Sequence, residues 1–583
     1  MRSSHSCNTT ILAAAAAIAL LAPSAAPAQT APAKPTLQDA LDAIASYAPQ
    51  ALAVQGAPGA SIAITDPSHT LEIVTVGYAD NESKTPVTPQ TRFGIGSITK
   101  SFTAGSLLQL RDAGRFDPQK PVTAYLPWFS IHSKYRPITS ADLFTHSSGL
   151  PDGGLATGLA GPYELRDWET GFAPGTHWSY SNVGYDTLGL ILEKLDGTDD
   201  YGAIVRRRIF APLGMNDTVA VWSPQTLANA ARGYLYVDDD RPVLPGAPLT
   251  RAAQTHYEDP AGSILTTPGD MAKYMRYIIN RGRGPHGRLL SRSSWNLLTT
   301  AATYRGKTIG EGGSGTFAGY AYGLGVHTVK GDRVVGHTGG VLQYTACMQI
   351  DLTRGYGAIA MSNIAYDGPR PCGIVNYAIA ALVAYAKGDP LPAPPKVGDP
   401  LRVRNAAQYA GTYALHGGSR AIAVRADGTR LTLDVGAGAM ALAPAGGDDF
   451  IVRDPAWGAH LLQFGRDKHK RVVEAFWGAQ WFTGAEYRGP TSFPYPTAWN
   501  AYVGRYETLD ANGYYNEVAV IVRKGKLVYD DGTPLTPLGG GLYRVGADTW
   551  SPERARFGIV LNGKAQVLRT PGADLYRSIT STR

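Results

Sequence analysis

Phe93-Gly94-Ile95-Gly96-Ser97-Ile98-Thr99-Lys100 is the stretch from which the rest of the chain is best read. After Gly96 the apolar residues Ile98, Phe102, Leu107, Leu108 and Leu110 recur at helical spacing until Gly114, which predicts a largely buried helix over residues 97–113. Ser97 and Lys100 stand three residues apart on one face of that helix, so hydroxyl and amine can touch. A serine hydroxyl is a poor nucleophile until a base takes its proton, and a desolvated or crowded lysine can serve as that base. Opening the helix also sets Ser97 where the helix dipole favours a developing anion. Alone, Ser-x-x-Lys is a common pattern, equally that of an N-cap serine followed by a surface lysine.

Outward from this point, strands alternate with helices. Residues 61–65 and 71–76 read as an early hairpin, and residues 183–195, ended by Asp196-Gly197, as a second helix. Residues 334–350 and 356–361 read as central strands. Two further groups carry chemistry. Tyr180-Ser181-Asn182 lies in a loop just before the second helix: a phenol near an amine can relay a proton, and the Asn182 amide can hold both the lysine and a substrate carbonyl. The plain alternative is a turn with an asparagine cap. Gly336-His337-Thr338-Gly339-Gly340 lies on a central strand, where glycines let a substrate backbone approach and the Gly340 N–H can pair with that of Ser97 as an oxyanion hole. Alone, His337 is the kind of histidine that more often plays a structural part.

In this order and context the three groups resemble the serine β-lactamase and penicillin-binding superfamily, with its S-x-x-K, Y-x-N and [KH]-T-G motifs. Their surroundings match as well: Leu143-Phe144-Thr145-His146-Ser147-Ser148-Gly149-Leu150-Pro151, Pro174-Gly175-Thr176-His177-Trp178 before Tyr180, and Ala261-Gly262-Ser263-Ile264-Leu265-Thr266-Thr267-Pro268-Gly269-Asp270-Met271. The resemblance covers about residues 37–385. It implies an α/β (α+β) serine β-lactamase/transpeptidase-like domain, an antiparallel sheet between helices interrupted by a helical subdomain, with the nucleophile between the two. It further implies Ser97 as the acylated residue, Lys100 as its activating partner and Tyr180 as general acid/base. Asn182, His337, Thr338, Gly339 and Gly340 would be substrate-binding, the 146–149 segment structural, and no metal or organic cofactor is implied.

The C-terminal part reads differently. Proline-rich stretches at 389–395 and 489–496 read as linkers. Between and beyond them Tyr409-Ala410-Gly411-Thr412-Tyr413 recurs as Tyr502-Val503-Gly504-Arg505-Tyr506, and Leu442-Ala443-Pro444 as Leu535-Thr536-Pro537, each offset by 93 residues. Each copy holds a short hairpin, at 421–433 about Asp427-Gly428 and at 518–529 about Lys524-Gly525, so two small antiparallel β-barrels or sandwiches are expected. The expected division is a leader at 1–28, a hydrolase domain at 29–395, and β modules at 400–489 and 497–583. Such lengths suit the two to four domains that 583 residues require.

Arg2, the apolar run 11–22 and Ala26-Pro27-Ala28 read as a secretory signal, the run being too short to span a bilayer. A periplasmic or secreted protein without a transmembrane anchor is expected. The net charge of +7 falls to +6 without Arg2, and the basic residues are scattered, which is a solvated surface and not a nucleic-acid groove. Of three cysteines, Cys347 and Cys372 remain after such processing, and paired or separately buried states are both open.

Histidine at 337, where dedicated β-lactamases carry lysine, weakens recognition of a β-lactam carboxylate and resembles D-aminopeptidases and some esterases. A hydrolase domain followed by two similar β modules also resembles D-aminopeptidases, in which a loop from a β domain reaches towards the active site. The favoured expectation is acyl transfer to water on small peptides, amides or esters, D-amino-acid or cell-wall-derived peptides first; an aminopeptidase then needs an acidic group for the substrate amine, which the sequence does not single out. Esterase or weak β-lactamase activity is the near alternative, and a non-catalytic envelope-binding protein the distant one. The sequence leaves the oligomeric state open.

Overall fold

The computed structural model describes residues 34–153, 160–237, 246–302, 309–311, 315–364, 371–396, 398–436, 438–454, 456–509 and 515–578. The leader read at residues 1–28, with Cys7, lies outside them.

Among the described residues, eight strands form the central sheet: β1 (Gly59–Thr65), β2 (Thr70–Asp80), β3 (Thr85–Pro86), β4 (Gly319–Tyr320), β5 (Gly325–Val329), β6 (Asp332–Val341), β7 (Tyr344–Asp351) and β8 (Tyr356–Ser362). Their order is β4-β5-β6-β7-β8-β1-β2-β3, with neighbours antiparallel. The early hairpin and the late strands therefore lie side by side, and the segment between β3 and β4 forms the helical part. Five helices matter here: α1 (Leu37–Gln55), α2 (Thr99–Asp112), α3 (Asn182–Asp196), α4 (Pro268–Ile279) and α5 (Cys372–Lys387).

Strand alternation divides the side chains between two cores. From β1, Ile62 and Ile64 pack with Ile44 of α1 and Ile379 of α5, while Ala63 faces the cluster holding Phe102 of α2 and Met275 of α4. β1 and β7 are buried along their whole length, as central strands covered on both faces must be. Cys347 of β7 points to the α1/α5 side and forms a disulfide with Cys372, the first residue of α5. Of the two states open in the sequence, the structure holds the paired one.

The segment holding Ser97 departs from the expected helix. Gly96–Ile98 is a 3-10 turn and the α-helix begins at Thr99, so Ser97 sits in the turn ahead of it. Gly96 has φ +48°, and a Cβ there would lie 2.6 Å from Gly340 N, so glycine is what lets this turn rest on β6.

Residues 411–484 close into an eight-stranded barrel, and a second eight-stranded sheet, residues 504–577, repeats its strand order but meets at its ends only through a bridge between Val528 and Pro534. The duplication extends to a side-chain hydrogen bond. Buried Tyr413 and Tyr506 each send their hydroxyl to the carbonyl four residues back, Tyr409 O at 2.8 Å and Tyr502 O at 2.7 Å. The barrels are joined by Arg523, which donates to Gln463 Oε1 at 2.6 Å and Gly478 O at 3.0 Å, and by a 2.7 Å Lys524–Glu474 ion pair.

The second barrel also returns to the helical part. Its loop between Leu542–Val545 and Arg554–Leu561 stacks Trp550 on His177, 4.8 Å between ring centroids, and presses Pro552 against Gly171. Arg554, only 5% exposed, pairs with Glu169 at 3.0 Å. The guanidinium is buried while the Glu169 carboxylate stays partly in solvent, so the pair sets the position of the loop more than it adds stability. Among the described residues no helix is long and apolar enough to cross a membrane.

Candidate active site

α2 carries Lys100 one turn beyond Ser97 and buries it completely. Its Nζ lies 3.0 Å from Ser97 Oγ, 2.6 Å from Asn182 Oδ1 and 3.0 Å from the carbonyl of Ala261. The orientation of the Asn182 amide is fixed from the other end, because its Nδ2 donates to Asp152 Oδ1 at 2.9 Å. Two of the lysine's partners, Asn182 Oδ1 and Ala261 O, are carbonyl oxygens, which only accept. A neutral amine with its two N–H bonds on them turns its lone pair to the Ser97 hydroxyl, and an ammonium is satisfied by all three. The cluster can therefore hold the amine both before and after it takes the serine proton.

Asn182 is free for this because it is not the helix cap. Ser181 caps α3, its Oγ accepting from Gly184 N, so the plain reading of an asparagine cap does not apply. Tyr180, just before the cap, is half-buried, with the lysine Nζ 4.9 Å from its ring centroid. The phenol also packs on His146, ring centroids 4.2 Å apart. His146 accepts from Ser181 N through Nδ1, which leaves the proton on Nε2. Burial first, then Lys100 and His337, pushes it well below the ordinary histidine range, so it is a neutral platform. The 146–149 segment thus carries the phenol from below.

The third motif lies along β6. β5 pairs with β6 only as far as Gly336, and beyond it the 95–97 segment presses on Gly339 and Gly340: a Cβ on Gly339 would stand 1.9 Å from Ile95 O. The two glycines thus let the Ser97 turn lie on the strand, bringing the Gly96 and Gly340 backbones to one place. His337 is 1% exposed and engaged at both nitrogens, Nδ1 with Thr338 O at 2.5 Å and Nε2 with the Tyr320 hydroxyl at 2.7 Å. Its ring is thus held in the interior of the strand, where Thr338 is buried as well.

Two carboxyls that sequence reasoning did not single out are linked to Asn182, Asp152 directly and Glu553 through Asp152. Asp152 accepts from both the backbone and side-chain N–H of Asn182, and its own N–H donates to Glu553 Oε1 at 2.9 Å. Burial raises the Asp152 carboxyl, opposed by these bonds and by Lys100. Burial first, then Asp152, pushes Glu553 to about 7. Asp152 directly follows the Ser-Ser-Gly-Leu-Pro stretch and was within reach of a closer reading. Glu553 comes from the second barrel's loop, 401 residues away, and no local signal marks it. Among the described residues no group of three or more His, Cys, Asp or Glu side chains is placed to hold a metal ion.

Fold and site together define a serine hydrolase. The Beta-lactamase family model matches residues 44–382, more than half of the chain, which belongs to that family. Penicillin-binding protein 4* of Bacillus subtilis (strain 168) is 27% identical over 384 residues, 62% of this chain and 80% of that protein. Protein flp of Staphylococcus aureus (strain NCTC 8325 / PS 47) is 24% identical over 318 residues, 53% of this chain and 60% of that one. Among solved structures, the octameric penicillin-binding protein homologue from Pyrococcus abyssi superimposes with a TM-score of 0.53 at 24% identity, over 76% of this chain and 99% of that one.

Proposed function

We propose that this chain is an exported serine hydrolase that acts through an acyl-enzyme on small peptides, amides or esters, with D-aminopeptidase-like substrates favoured. The observation that carries the reading is the contact of Lys100 Nζ with Ser97 Oγ at 3.0 Å, backed by two carbonyl acceptors. Lys100 takes the Ser97 proton as Oγ attacks the substrate carbonyl, and the Ser97 and Gly340 N–H groups receive the developing oxyanion. Tyr180 passes the proton to the leaving group, and water then repeats the sequence in reverse. Asn182 holds the lysine and the substrate carbonyl side, and residues 337–340 form the strand along which the substrate lies.

The choice among substrates follows from charge. Engaged at both ring nitrogens, His337 offers no edge to a β-lactam carboxylate, whereas Asp152, bonded to Asn182, and Glu553, bonded to Asp152, are acids on the Asn182 side with which a positively charged amine can pair. Comparing turnover of D-Ala-p-nitroanilide, p-nitrophenyl butyrate and nitrocefin tests this, the anilide being favoured; faster turnover of the butyrate or of nitrocefin supports the esterase or β-lactamase alternative. A fluorophosphonate adduct on Ser97, absent from Ser97→Ala, supports catalysis. Folded protein that takes no adduct supports an envelope-binding role instead. Export to the periplasm or medium is read from the leader and is tested by fractionating cells that express the full chain.

A further inference from the structure

α3 carries another acid one turn beyond Asn182. Asp186 is 2% exposed, and its Oδ1 has no hydrogen-bond partner among the described residues. Its carboxyl faces that of Asp259, within hydrogen-bonding reach, and Asp259 is likewise 2% exposed. Both Asp259 oxygens are already occupied by donors, Oδ2 by the Tyr257 hydroxyl at 2.8 Å and Oδ1 by Ala261 N at 2.5 Å. Two carboxylates cannot bond to each other without a proton between them. With Asp259 served by two donors and Asp186 by none, the proton belongs on Asp186, and the pair carries a single negative charge.

The fold brings this pair together by close approach. A Cβ on Gly189, three residues beyond Asp186, would lie 2.1 Å from Pro260 Cγ, so α3 reaches the 259–261 turn because glycine stands there. Thr103 of α2 donates to Pro260 O at 2.7 Å, and Ser263 Oγ donates to Asp259 O at 2.9 Å. The turn held in this way is the one whose Ala261 carbonyl meets Lys100 at 3.0 Å. Asp259 thus grips the N–H of the residue whose C=O grips the lysine.

We propose that Asp186 and Asp259 are positioning residues for Lys100: an acid–carboxylate pair that fixes the Ala261 carbonyl on the amine and supplies one buried negative charge against which Lys100 takes up the Ser97 proton. This rests on the reading of Lys100 as the base of Ser97. The proton of the pair is not consumed; the serine proton moves to Lys100 and onward to the leaving group. The charged and titratable groups facing Asp186 are Lys100 from α2, Asp152 from the loop after Leu150, and Asp259. Asp259 in turn faces Tyr257 and the buried Tyr201. Burial first, then Asp259, raises Asp186 well above the carboxylate range, in the direction that favours its protonated form.

The test is the pH dependence of the second-order rate of Ser97 labelling by a fluorophosphonate, followed by intact-protein mass spectrometry, which needs no knowledge of the substrate. Asp186→Ala should slow labelling about tenfold, and Asp186→Asn, whose amide still donates to Asp259, should restore it without moving the acid limb. Asp259→Asn removes the negative charge, so the ammonium loses support and the acid limb should move about one unit to lower pH. An Asp186→Asn variant that moves the limb as Asp259→Asn does, or an Asp259→Asn limb that stays in place, overturns the proposal. If Asp259→Asn does not fold, the infrared difference between wild type and Asp186→Asn at about pH 8.5, above the value near 7 of Glu553, decides. A protonated carboxyl band lost in the variant supports the pair, and no difference overturns it. Wild-type protein that takes no label at any pH refutes the Ser97 reading itself, whereas a wrong pattern in the variants refutes the pair alone.

Discussion

Replacing Gly96 by alanine tests whether the turn before α2 builds the oxyanion site by lying on β6. The added Cβ would stand 2.6 Å from Gly340 N and 2.8 Å from its carbonyl carbon and oxygen, where ordinary contact begins at 3.4 Å. All three are backbone atoms, so no rotamer relieves the contact, and about 0.8 Å must come from moving the Ser97 turn away from the strand. The left-handed φ of +48° costs an alanine about 1–2 kcal/mol besides. A displacement near 1 Å at reacting atoms lowers rates about 100-fold. Gly96→Ala should therefore label at Ser97 about 100 times more slowly while losing only a small part of its resistance to thermal unfolding. Paired rate and melting measurements read both quantities. A variant that melts like wild type and labels at the wild-type rate would refute the reasoning, because it would mean that turn and strand have slack between them.

Lys100→Ala should slow Ser97 labelling by about 10²–10⁴, the range for a positioned general base, and full turnover in that variant would remove the amine from the mechanism. Glu553 binds its proton more tightly folded than unfolded, so its contribution to stability is lost as pH rises from the ordinary 4.5 towards about 7 and is level above that. The protection of residues 546–554 against hydrogen exchange, referred to the intrinsic rate at each pH, should accordingly fall from pH 5 to pH 8, and Glu553→Gln should abolish that fall; an equal fall in the variant would assign the effect elsewhere. Removing the Cys347–Cys372 disulfide, which spans 25 residues, should cost about 3 kcal/mol, read as a lower denaturation midpoint, while Ser97 still labels. Loss of labelling in folded, reduced protein would show that the bridge shapes the cleft as well.

What could be read from the linear chain was whatever obeys a short period. Ser97 and Lys100 fall on one helical face because three residues make nearly one turn, and the hairpins at 421–433 and 518–529 follow from alternation about a glycine turn. The 93-residue repeat announced two β modules, and buried Tyr413 and Tyr506 repeat the same bond. The start of α2 was misplaced by two residues because a 3-10 turn and a first α-helical turn share the same apolar spacing.

The sequence by itself determined which hydroxyl, amine, phenol and glycine strand come together, because each lies within a motif of a few residues whose local geometry constrains it. Tertiary structure alone decided which carboxyls surround them. Asp152 meets Glu553 from 401 residues away, and Asp186 meets Asp259 across a helix packed at glycine distance. It also decided that His337 is engaged at both nitrogens and that Cys347 reaches Cys372. The reason is physical: periodicity records which face a residue takes on its own element, whereas a contact between elements depends on how whole surfaces pack and leaves no spacing in the chain to read.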